Sequence, residues 1–114
     1  MSAVPRFSSD PPALALELER DDARVAVAAA GELDITTVDG VRAEVLALAA
    51  RGCPSIVLDL GGLTFADSCL IHLLLELEAA AALDGFAFAV RLGGRTPARR
   101  LLTVAGLAER FAAA

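Results

Sequence analysis

Four short segments of this chain put their bulky side chains at every second position and keep the intervening face small or charged. Leu14, Leu16 and Leu18 alternate with Ala15, Glu17 and Glu19, and after a polar turn over Arg20–Ala23 the pattern continues as Val25, Val27 and Ala29, ending at Gly31. Ile56, Leu58 and Leu60 share one face against Val57 and Asp59, and Phe86, Phe88 and Val90 alternate with Ala87 and Ala89. A period of two with one apolar side is that of a strand burying a single face. A doubly wound sheet buries both faces and presents continuous apolar strands, so the helices are expected to cover one face only.

Between these segments the period becomes helical. Thr36 with Asp39 resembles a capping box, and Val38, Val41, Val45 and Leu48 form a stripe that ends at Arg51-Gly52. Gly61-Gly62 reads as a break after the third strand. A second helix is expected from Ser68 to Leu83, closing at Asp84-Gly85. Thr96 and Pro97 are placed as N-cap and first residue of a third helix that carries Leu101, Leu102 and Val104 to Gly106, followed by a short turn with Leu107 and Phe111. The expected order is β-β-α-β-α-β-α, an α/β domain.

At 114 residues and 11.7 kDa the chain can bury about two-thirds of its surface in one core. Residues 1–12, with Pro5, Ser8, Ser9, Pro11 and Pro12, are expected to be a flexible lead-in, and 13–114 the folded domain. The most apolar stretch, Cys69 to Leu83, is interrupted by His72, Glu76 and Glu78, which a membrane span would not tolerate. Cys53 and Cys69 stand apart with no CxxC and no clustered His, which points to a reducing, cytoplasmic setting without a metal site or disulfide framework. No cofactor motif is present either.

The net charge of −5 argues against nucleic acid. It is unevenly placed, because from Phe86 onward five arginines meet one acid, giving +4, while the remainder carries −9. An acidic body with a basic C-terminal end suits protein partners, and the apolar content leaves room for a homodimer.

Catalytic groups are scarce. His72 is the one histidine and lies four residues after Ser68, a spacing at which helix side chains meet, but there is no GxSxG elbow and no third group to orient the imidazole. Neither Gly61-Gly62 nor Gly93-Gly94 leads into Gly-Lys-Ser/Thr, and the chain contains no lysine, so a phosphate loop is excluded. Two readings of Ser68 stand side by side: a helix N-cap, or a hydroxyl at a positive helix end that accepts a phosphoryl group beside Asp67. Leu70, Leu73, Leu74, Leu77 and Ala81 form the expected buried stripe. Ile71 and Leu75 fall away from it on the Ser68 side, as either ordinary exposed aliphatics or, with His72, a partner-binding patch.

Gly31-Glu32-Leu33-Asp34, Ile56-Val57-Leu58-Asp59-Leu60, Leu63-Thr64-Phe65-Ala66-Asp67-Ser68 and Ala105-Gly106-Leu107 with Phe111 together resemble the STAS domain of bacterial anti-sigma factor antagonists, over Leu14 to Phe111. The resemblance implies a mixed four-stranded sheet and a regulatory switch with no catalysis of its own. A serine-kinase anti-sigma factor would phosphorylate Ser68, the unphosphorylated form would sequester that kinase, and a phosphatase would restore binding. Asp34 would lie close to Ser68 and, with Asp67, support the switch. Where family members often read D-S-S-G-L or D-S-T-G-L, this chain has Asp67-Ser68-Cys69-Leu70-Ile71. STAS domains also serve as scaffold parts and transporter-accessory subunits, the alternative role.

Overall fold

The computed structural model describes residues 13–111, so the N-terminal lead-in lies outside the described residues. The elements are β1 (Leu14–Asp21), β2 (Arg24–Leu33), α1 (Val38–Ala50), β3 (Ser55–Ala66), α2 (Ser68–Asp84), β4 (Ala87–Arg91), α3 (Pro97–Val104) and α4 (Ala108–Phe111). The strands form one mixed sheet in the order β1-β2-β3-β4. β1 and β2 make an antiparallel hairpin, and β2–β3 and β3–β4 are parallel, joined by the α1 and α2 crossovers.

The alternation determines the inner face. Val25, Val27, Ala29, Ile56, Leu58, Leu60 and Val90 are buried and form one hydrophobic cluster with the stripe Val38, Val41, Val45, Leu48 of α1 and Leu70, Leu73, Leu74, Leu77, Ala81 of α2. Ala98 and Leu102 of α3 and Phe111 of α4 close the cluster. Thr96 caps α3 as expected, its hydroxyl accepting from the Arg99 N–H at 3.1 Å with Pro97 behind it. Outside the core, Arg42 on α1 donates from Nε to Glu76 of α2 at 3.0 Å, and Arg110 of α4 pairs with Glu78 of α2.

Several expectations change. The edge strand β1 is only half covered, and Leu18 is 47% exposed, because the helices do not reach that far across the sheet. α1 begins with Thr37 as N-cap and without a side-chain cap bond, so the Thr36–Asp39 box does not form. Thr36 instead turns back on Asp34.

Gly61-Gly62 is no break. β3 runs through it, and β2 runs on past Gly31, because β3 carries an extra residue between Asp59 and Gly62 and another between Leu63 and Phe65. These bulges preserve the pairing at the cost of the alternation. A Cβ on Gly62 would stand 3.0 Å from the Ala29 carbonyl oxygen, which explains the glycine there.

Gly31 faces a stricter demand. Its φ is +122, and a Cβ would lie 2.2 Å from the Ala13 carbonyl oxygen, the same oxygen that accepts from the Glu32 N–H at 2.7 Å. Both the dihedral and the contact exclude a side chain. Gly31→Ala should therefore destabilise the domain by about 2–3 kcal/mol in urea titrations, whereas Gly40→Ala, on α1 with nothing within 4 Å, should stabilise it slightly.

Candidate functional site

The register brings the two halves of the site together. β2 and β3 are parallel and their last paired residues are Leu33 and Ala66, so Asp34 and Asp67 leave the sheet side by side at its carboxyl edge, where α/β sheets characteristically bind ligands. Ser68 follows as the first residue of α2 and is exposed.

The two aspartates are employed differently. Asp67 is the N-cap of α2: its backbone is extended and its Oδ1 accepts from the Cys69 N–H at 2.9 Å. The cap thus belongs to Asp67 and not to Ser68, whose hydroxyl is released from that duty. Asp34 holds a tight turn, its Oδ1 accepting from the Thr36 hydroxyl at 2.6 Å and the Thr36 N–H at 2.9 Å. Thr37 continues the turn, accepting from the Asp34 N–H at 3.0 Å and donating to the Glu32 carbonyl at 2.8 Å. The Thr36 hydroxyl, then its N–H, lowers the Asp34 carboxyl below its usual 3.8, so the edge carries a fixed negative charge at neutral pH.

Cys69 senses that charge. Burial first, then the hydrogen bond and charge of Asp67 and the charge of Asp34, raise its thiol above the ordinary 9.0. It stays protonated at neutral pH and is a poor nucleophile or metal ligand. Among the described residues no group of three His, Cys, Asp or Glu side chains could hold a metal ion, and no helix is long and apolar enough to cross a membrane.

His72 is exposed one turn after Ser68. Ile71 and Leu75 are half-buried and pack against the core cluster, so they are flanks of the core and not the free outer patch expected from the helical wheel. The large apolar side chains that stand out near this edge are Ile35, 75% exposed beside Asp34, and Phe65, 47% exposed two residues before Asp67. Sequence reasoning missed both. Ile35 could have been found as a bulky residue inside a polar turn, and Phe65 by extending the β3 alternation, in which Ile56, Leu58 and Leu60 face the core and position 65 falls on the other face.

With this geometry in view, the comparisons are specific. The family model described as Mlab, STAS domain matches residues 16–112, and the chain belongs to that STAS family. The chain is similar to an anti-sigma factor antagonist from Mycobacterium paratuberculosis, at 26% identity over 91% of this chain and 87% of that one, with a TM-score of 0.71. It also shares its fold with the anti-sigma factor antagonist SpoIIAA in its unphosphorylated form, at 24% identity, 83% and 84% coverage and a TM-score of 0.69. The phosphorylated form of SpoIIAA, a Bacillus cell fate determinant, gives 23% identity, 87% and 89% coverage and a TM-score of 0.57. No curated protein sequence matches the chain.

Two measurements test the site. Asp67→Ala should cost about 1 kcal/mol in denaturant unfolding through loss of the cap, while Ser68→Ala should stay within about 0.5 kcal/mol of the parent. In a carboxylate NMR titration Asp34 should titrate below 3.8, and Thr36→Val should move it upward. Because the folded value is depressed, the stability contributed by this turn is present above pH 3.8 and lost as the pH falls through the folded value.

Proposed function

We propose that this chain is a cytoplasmic antagonist of a serine-kinase anti-sigma factor, switched by phosphorylation of Ser68. The observation that carries the reading is an exposed serine hydroxyl, relieved of capping by Asp67, at the edge where Asp34 and Asp67 converge. Membership of the STAS family and likeness to anti-sigma factor antagonists support it.

In the proposed step the kinase presents ATP. The Ser68 oxygen bonds to the γ-phosphorus, the bond from that phosphorus to the β-phosphate oxygen breaks, ADP leaves, and the hydroxyl proton passes to the kinase. The antagonist contributes the acceptor and its electrostatic setting, with no catalysis of its own, and a phosphatase reverses the step. Phosphate adds about two negative charges beside two carboxylates at a surface that has to meet a partner. The helix N-terminus partly offsets that charge in the free protein. In the complex, like-charge repulsion and desolvation of the phosphate are expected to weaken binding by about 2–5 kcal/mol.

Incubation with ATP and a kinase-type anti-sigma factor encoded beside this gene should add one phosphate, abolished by Ser68→Ala. Ser68→Asp should weaken the complex at least tenfold and Ser68→Ala should preserve it, read by titration calorimetry. Absence of a phosphate together with unchanged binding by Ser68→Asp would overturn the switch.

The match to a model described as Mlab, STAS domain, and Leu70 in place of the customary glycine, favour one other reading: a scaffold or transporter-accessory STAS subunit that is never phosphorylated. Ser68→Asp would then leave its partnership intact.

A further inference from the structure

Beside the Ser68 edge, the end of β3 and one side of α3 enclose an open trough of about 390 Å³, formed by Phe65 and Ala66 on one wall and by Pro97, Arg100, Leu101 and Val104 on the other. A second depression of about 270 Å³ shares Arg100 and Val104 with it and continues across α3 to Arg95 and Thr103. Arg100 and Val104 are one helical turn apart and form the ridge between the two. Val104 is 83% exposed, the most exposed of the large apolar side chains among the described residues, and Phe65 lies open on the facing wall.

On the α3 side of the trough the charges have one sign, while Asp67 follows Ala66 beyond the opposite wall. Residues 95–105 contain three arginines and no acid, although the chain as a whole is acidic. Arg99 is committed to the fold, donating from Nε to the Gly94 carbonyl at 2.9 Å and from Nη2 to the Gly93 carbonyl at 2.8 Å. Arg95 and Arg100 are exposed, and the four ion pairs among the described residues involve neither. An apolar floor with unpaired guanidinium groups on its rim is complementary to a segment carrying both aliphatic or aromatic anchors and carboxylates.

We infer that the Phe65–Val104 trough binds an acidic, apolar-anchored segment of a partner protein. This goes beyond the switch, since it requires no phosphate on Ser68. The segment would place a hydrophobic side chain between Phe65, Leu101 and Val104 and its carboxylates against Arg95 and Arg100.

A synthetic peptide of alternating Glu and Leu with one Phe, titrated into the full-length protein, provides the probe. Amide NMR shifts should concentrate at Phe65, Arg100, Leu101 and Val104, and affinity should fall as salt rises. The same peptide with Lys for Glu should leave those signals unmoved. Arg100→Glu and Val104→Asp should each weaken the acidic peptide about tenfold with thermal unfolding unchanged, and Ser68→Ala should leave peptide binding as it was. Equal binding of the Lys peptide, shifts centred elsewhere, or a trough covered by a second copy in sedimentation velocity and freed by Val104→Asp would overturn the assignment. Failure of Ser68→Asp to affect an anti-sigma factor would overturn only the switch.

Discussion

The parallel pairing of β2 with β3 is what the candidate site depends on, and two additional residues in β3 decide what meets what. Before the bulges Ala28 pairs with Asp59, and after them Leu33 pairs with Ala66. Continued without bulges, the first register would set Leu33 against Thr64 and Asp34 beside Phe65. The two extra residues bring forward Asp67 instead, so the turn after β2 and the start of α2 share one edge. Glycines stand next to the slips for separate reasons, Gly31 for its positive φ and the Ala13 carbonyl oxygen against it, Gly62 for the Ala29 carbonyl oxygen beside it.

Once Asp34 and Asp67 are adjacent, local hydrogen bonds divide the work. Each carboxylate is tied to backbone N–H groups, one as a turn and one as a cap, which fixes both charges in place without using Ser68. The helix behind them is held on both sides, by the buried leucines at 70, 73, 74 and 77 and by the outer pairs of Glu76 with Arg42 and of Glu78 with Arg110. The exposed pairs add little stability individually. They do orient a helix whose first residue is the proposed acceptor, so a new charge there acts on a partner through electrostatics, with no rearrangement of the fold required.

Sequence periodicity captured what depends on local geometry. Val25, Val27 and Ala29, the α1 stripe, the α2 stripe and the Thr96-Pro97 start of α3 all follow from spacing alone, and the resemblance located the Asp34 and Ser68 segments. It failed where tertiary contacts override a period. Gly61-Gly62 looks like a terminator because glycine usually is one, yet here it permits a bulge. Ser68 looks like a cap because serine usually is one, yet the extended backbone at Asp67 gives the preceding carboxylate first use of the Cys69 N–H. Ile71 and Leu75 lie off the wheel's core stripe and are half-covered all the same, since a helical wheel does not register lateral packing. Val104, assigned to the third helix as one of its apolar residues, is the most exposed large apolar side chain on it.

The carboxyl edge consequently carries both signs of charge within a short span. Asp34 and Asp67 follow β2 and β3, while β4, also parallel, delivers the Gly93–Thr96 loop and the arginine-rich α3 to the same end of the sheet. A surface with juxtaposed opposite charges selects partners by pattern more than by net charge, because a rotated or unrelated partner meets like charge at one half or the other. On the proposed reading, phosphate on Ser68 extends the acidic half toward the basic one, altering the pattern a partner has to match. A single modification can then dismiss one partner while α3 and its trough keep their own chemistry.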